Sequence, residues 1–119
     1  TGNLSGCLRR IAQIEFVDTV MAIGSKRMQL KAYYELSEHE LMEAGINSLR
    51  VYLHRLKGVS DTYKDHHQLF TNVLNHLFKI KAGDKSKEAL EKVKGEVDTQ
   101  RSIPEYDWLT EKIAELEHG

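Results

Sequence analysis

Residues 54–58, with the sequence HRLKG, place a reactive imidazole close to a lysine. An exposed imidazole nitrogen of His54 can attack an aspartyl phosphate, and the ammonium group of Lys57 can neutralise the phosphoryl oxygens. On a helix, Leu53 and Leu56 would face inward, which leaves His54 facing outward. The chemistry that this pattern would permit is phosphoryl transfer through His54.

A second group of candidate ligands consists of Asp65, His66, His67 and His76. Zinc ligands on a helix need to lie three or four residues apart on one face. Adjacent histidines, with a third nine residues further on, do not have this spacing. The sequence also contains no P-loop, dinucleotide-binding turn or nucleophile elbow. We therefore expect no metal, no cofactor and no enzymatic activity.

The apolar residues that would position these side chains follow the helical period along nearly the whole chain. A single proline and few alternating β-branched runs argue against a sheet. We predict an all-α protein of about eight short helices. We expect breaks between helices at Pro104 and at glycines, because glycine accepts the left-handed backbone that closes a helix. The glycines concerned are Gly24, Gly45, Gly58 and Gly83.

The strongest apolar stripe lies between Tyr63 and Ile80, and a charged helix over Lys85–Val97 and a last helix after Pro104 follow it. We expect this stripe to pack within the chain, and Tyr106 and Trp108 to lie in the core.

Residues 37–40, Ser-Glu-His-Glu, form a capping-box pattern, in which a serine hydroxyl and a glutamate three residues on satisfy the free N–H groups of a helix start. This pattern predicts a short acidic helix with Leu41 and Met42 inward, which ends in a sharp turn at Gly45. Asn47 or Ser48 would then begin the next, longer helix.

Residues 7–58 resemble the sterile alpha motif (SAM) family, a five-helix module of about this size. The segment Leu36–Ile46, LSEHELMEAGI, matches the family pattern L-[ST]-x-x-[DE]-L-x-x-x-G-[IV]. The preceding residues come in the family's order, as Leu8, Ile11, Phe16, Val20 and Gly24. Cys7 replaces the family's opening tryptophan, and Asn47-Ser48-Leu49-Arg50 replaces its Gly-His-Arg-like helix start. The resemblance implies a SAM-like five-helix unit over 7–58, followed by a packed extension of about three helices over 59–119.

The resemblance also implies a non-catalytic interaction module that docks on a protein partner or on itself. An acidic strip on one helix and a basic start of the next helix would form two opposed patches on one small domain, which permit head-to-tail association. The predicted contact residues are Glu35, Glu38, Glu40 and Glu43 in the acidic strip, with Asn47, Arg50, Arg55 and Lys57 around the helix start.

Two alternatives stay open at this stage. RNA hairpin binding, similar to that of the Smaug and Vts group of SAM-like domains, would use Arg50, Arg55 and Lys57, joined by Lys26, Arg27 and Lys31. The second alternative is phosphotransfer, because residues 54–58 also resemble the signature of histidine phosphotransfer domains, which are all-α bundles. An unbroken helix through Gly45 would favour that bundle over the SAM-like unit.

The composition limits the classes of partner. A formal net charge of −1 provides no overall field to hold a polyanion. Cys7 is the single cysteine, which favours a reducing, intracellular and cytoplasmic location. No apolar run approaches the roughly 20 residues that span a bilayer. We expect neither a membrane nor a small-molecule substrate as partner.

Overall fold

The part of the chain that the structure describes consists of five α-helices, packed largely in chain order. The structure, a computed structural model, describes residues 2–83 and 87–118, with side chains in the first helix described at positions 6 and 10 and from 13 onward. The helices are α1 (Gly2–Leu36), α2 (His39–Arg55), α3 (Asp61–Ala82), α4 (Lys87–Thr99) and α5 (Tyr106–His118). No strand occurs in these ranges, and the predicted all-α class is confirmed.

A single hydrophobic core receives side chains from all five helices. Helix α3 is central, because it packs on α2, α4 and α5 and buries most of its predicted apolar stripe, including Phe70, Leu74 and Leu77. Tyr106 and Trp108 are half-buried and pack against this core. Residues 59–119 supply α3, α4 and α5, whereas the division of the chain into two domains at residue 58 stays a prediction.

The break predicted at Gly24 is wrong, because α1 runs through this glycine without interruption. A glycine inside a helix costs only about 1 kcal/mol relative to alanine. Burial of Ile23, Leu30 and Tyr34 on the same face offsets that cost. Residues 7–58 therefore form two long helices instead of five short ones.

The sharp turn predicted at Gly45 is also wrong, because Gly45 lies inside α2. A Cβ atom at this position would lie 2.7 Å from Cδ2 of Leu30 and 3.6 Å from the ring of Tyr33. Leu30 and Tyr33 of α1 therefore pack directly on the backbone of α2 at Gly45, and the absence of a side chain there allows this contact. Leu41, which was expected to face inward, is 49% exposed, whereas Met42 is fully buried.

Ser37 ends α1 and does not cap α2, so the predicted capping box is not formed. Its backbone has a φ of 53°, and the N–H of Glu38 donates to the carbonyl of Tyr33 while the N–H of Ser37 donates to that of Tyr34. These are the two hydrogen bonds of a Schellman motif, which normally has glycine at the left-handed position. Glu38 is the N-cap of α2, without a capping bond from its side chain.

The helix boundaries after α2 agree better with those predicted from the sequence. Gly58 and Gly83 have positive φ values and follow α2 and α3, as predicted. Ser60 begins α3, and its hydroxyl accepts a hydrogen bond from the N–H of Tyr63 at 3.1 Å. The predicted start of the next helix at Lys85 and the break at Asp84 lie outside the described residues, as do the side chains of Cys7, Leu8 and Ile11.

Helix α1 extends well beyond the bundle. Its 35 residues are about 52 Å long at 1.5 Å per residue, and the longest dimension of the molecule is 62 Å against 30 and 20 Å for the others. Buried residues on α1 begin only at Ile23 among those described. None of the described helices has both the length and the apolar character needed to cross a membrane.

Candidate interaction surfaces

The acidic residues predicted to form one strip lie on two different helices. Glu35 is in the last turn of α1, where it forms an ion pair with the buried side chain of Lys112 on α5. Glu40 and Glu43 are exposed on α2, and Glu38 is its N-cap. Glu35 therefore connects α1 to α5. The prediction that it shares one helix with the other three glutamates is wrong.

The basic helix start predicted at Asn47 and Arg50 does not exist, because both residues lie inside α2. The free N–H groups and the partial positive charge of a helix N-terminus are therefore absent there. Nη2 of Arg50 donates to Oδ1 of Asn72 on α3 at 2.9 Å. Glu43, Asn47 and Arg50 line the same shallow groove between α2 and α3, of about 410 Å³. Glu43 and Arg50, which were predicted to lie on two opposed patches, therefore share one groove.

Arg55 and Lys57 lie on a different surface from Arg50. They line a groove of about 330 Å³ together with Lys26, whose Nζ lies 5.3 Å from the centre of the Tyr52 ring. The residues proposed for RNA binding are thus divided between two grooves, which reduces the number of phosphate contacts that one strand can make.

Arg27 and Lys31, the other RNA-binding candidates, take part in a polar cluster within the bundle. Lys31 donates to Oε1 of Glu105 at 2.7 Å, and Nη1 of Arg27 lies 2.8 Å from Nε2 of His67. Nδ1 of His67 lies 3.0 Å from the carbonyl oxygen of Tyr63. An Nδ1–H that donates to this carbonyl leaves Nε2 to accept from Arg27, which is the neutral form of the imidazole. Burial accordingly lowers the pKa of His67.

His54 is exposed in the last turn of α2, so its predicted outward orientation is confirmed. The backbone becomes extended at Leu56, which places Lys57 beyond the end of the helix. The phosphotransfer hypothesis requires Lys57 to lie on the same helical face as His54. The structure does not meet this requirement. Within the described residues, no group of three His, Cys, Asp or Glu side chains is arranged to hold a metal ion.

The most apolar exposed surface lies on α1, where sequence analysis predicted no partner site. We call residues 13–21 the outer segment; none of them is buried. Ile14, Val17 and Met21 are 60%, 53% and 68% exposed and lie within one face, because they are spaced three and four residues apart. A shallow depression of about 310 Å³ around Ile14 and Val17 is bounded by Arg10 and Asp18.

A second face of the outer segment continues the core stripe of the bundle. Phe16 and Val20 lie in line with Ile23, and they are 49% and 37% exposed although Ile23 is fully buried. The sequence contained the relevant pattern: α1 carries two apolar stripes, and a helix that packs on one side needs only one. The break expected at Gly24 concealed which stripe is the buried one, because it separated Phe16 and Val20 from Leu30 and Tyr34.

Comparisons with protein-family models, with curated proteins and with solved structures gave no match to this chain. The resemblance to the SAM family stays a prediction. The structure lacks the turn at Gly45 and the inward Leu41 on which the family's LSEHELMEAGI segment depended.

Proposed function

We propose that this protein is a non-catalytic interaction module whose docking element is the outer segment of α1. The observation that carries the proposal is the exposed apolar face formed by Ile14, Val17 and Met21. Isolated exposed apolar residues are normal on proteins, but contiguous ones mark interaction surfaces. Full burial of one such side chain is worth about 1.5–3 kcal/mol, so a partner that covers all three gains several kcal/mol.

The continuity of α1 from the bundle into the outer segment supports the same proposal. The outer segment is part of a helix that is anchored in the bundle by Ile23, Leu30 and Tyr34. A partner therefore meets a helix that is already ordered, and binding does not have to pay for its formation. Amphipathic helices of this kind bind in grooves or against other helices through residues three and four positions apart.

Site-specific photo-crosslinking tests the proposal. We expect benzoylphenylalanine at position 17, in cells that express the protein, to give adducts with a second polypeptide chain. The same group in place of Glu111, which is exposed on α5, should not. A partner identified in this way is then purified, and Val17→Glu should weaken its binding. Absence of adducts at position 17, or equal adducts at both positions, would contradict the proposal.

Phosphotransfer through His54 is a second candidate, because α2 is unbroken through Gly45 and His54 faces solvent. Incubation with a phosphorylated receiver domain tests it, with His54→Ala as control. Since Lys57 lies beyond the end of α2, we expect no phosphoryl transfer to the protein. Acid-labile phosphate that appears on the wild-type protein but not on His54→Ala would favour phosphotransfer over docking through the outer segment.

A further inference from the structure

We infer that the partner of the outer segment is helix α1 of a second copy of this chain, paired antiparallel about a two-fold axis at Ile14, so that residues 13–21 of each copy lie along residues 7–15 of the other. This inference rests on the proposed function and names the partner. A two-fold contact uses the same patch on both copies, so each residue on one side of the axis meets the residue equally far on the other side. The patch must then be complementary to itself.

The charges around Ile14 meet this requirement. Arg10 and Asp18 lie four residues before and four residues after Ile14, and both are exposed at the edge of the depression around it. In an antiparallel pair about Ile14, Arg10 of each copy therefore faces Asp18 of the other, which gives two opposite-charge contacts. A parallel pair would instead place Arg10 against Arg10 and Asp18 against Asp18, and like charges directly opposed are unfavourable.

Apolar residues occupy the face of α1 that such a contact uses. Ile14 is at the axis, and Val17 and Met21, three and seven residues after it, lie opposite positions 11 and 7 of the other copy, which are Ile11 and Cys7 in the sequence. Between Ile14 and the first buried residue, Ile23, α1 rises by about 13 Å, which is more than one helix diameter. The two bundles then lie at opposite ends of the pair and leave room for the helices to cross.

Sedimentation equilibrium of the full chain, with charge exchange, tests the inference. We expect the wild-type chain to form a reversible dimer, and Ile14→Glu to abolish it. Arg10→Asp and Asp18→Arg should each weaken the dimer by about tenfold or more, because each variant places like charges opposite one another at two symmetric positions. An equal mixture of the two variants, and the double variant R10D/D18R, should restore the dimer, because both arrangements recover two opposite-charge contacts.

The outcomes separate the inference from the proposed function. A chain that stays monomeric, while position 17 crosslinks to a different protein, overturns the inference and leaves the proposed function intact. A dimer that the single charge changes do not weaken, or that Arg10→Asp strengthens, overturns the antiparallel pairing. Circular dichroism of each variant establishes that the helices are unchanged, which is expected because the substituted side chains are exposed.

Discussion

Neutral His67 links the stability of the bundle to pH. Burial lowers the pKa of its imidazole, and the nearby charge of Arg27 acts in the same direction, while the hydrogen bond to the Tyr63 carbonyl opposes the change. The unfolded chain therefore binds a proton more readily than the folded chain does. The stabilisation is complete above the unfolded pKa of about 6.5 and is lost as pH falls below that value toward the lowered pKa.

We accordingly expect the free energy of unfolding to decrease between pH 7.5 and pH 5.5. In His67→Gln the decrease should be smaller, since an amide can accept from Arg27 and donate to the Tyr63 carbonyl without titrating. Urea denaturation at several pH values measures both. Equal pH dependence in the two proteins would show that His67 does not control it.

The two glutamates Glu35 and Glu43, predicted to have the same role, should behave differently. Glu35→Gln removes an ionic partner of Lys112, whose side chain is only 6% exposed and keeps Glu115 at 3.2 Å. We expect this change to lower the free energy of unfolding by about 1 kcal/mol. Glu43→Gln, on an exposed groove, should change it by less than about 0.5 kcal/mol. Chemical denaturation measures the free energy of unfolding of both variants. An equal decrease in the two would contradict a stabilising contribution from the Glu35–Lys112 ion pair.

At the scale of the elements, Gly45 and Gly95 provide a matched pair of helix glycines. No atom lies within 4 Å of a Cβ built at Gly95, whereas one built at Gly45 meets Leu30 at 2.7 Å. Gly95→Ala should therefore stabilise the protein by up to about 1 kcal/mol through helix propensity. Gly45→Ala should destabilise it by about 1–3 kcal/mol through overpacking between α1 and α2. If thermal denaturation shows both substitutions to be stabilising, the close contact at Gly45 is not a constraint.

Gly45 also shows which features of the fold could be predicted from the sequence and which could not. Helical periodicity predicted the α class and the central stripe of α3, because burial on one face leaves a local pattern. A glycine in the sequence, however, is equally consistent with a helix end and with a close contact between helices. Only the position of Leu30, fifteen residues away from Gly45, decides between them. The candidate surface could not be predicted for a similar reason, since a break at Gly24 separates the outer segment from Leu30 and Tyr34, which identify the buried stripe of α1.

At the scale of the whole molecule, the bundle and the outer segment should be separable. Since none of the described residues before Ala22 is buried, we expect removal of this part of α1 to expose little core. We expect a chain that begins at Ala22 to unfold with a free energy within about 1 kcal/mol of the full chain and to lose association with any partner of the outer segment. Denaturation together with sedimentation tests this. Loss of the folded bundle would show that the outer segment contributes to the core in solution.

Because α1 is unbroken through Gly24, it also fixes the rotation of the outer segment relative to the bundle. Each residue of an α-helix turns the chain by about 100°, so the number of residues between Met21 and Ile23 sets the azimuth of the apolar face relative to the bundle. A single alanine inserted there would keep every side chain of the outer segment but direct that face to another side of the molecule. Spacing along α1, as much as composition, therefore determines how a bound partner is oriented.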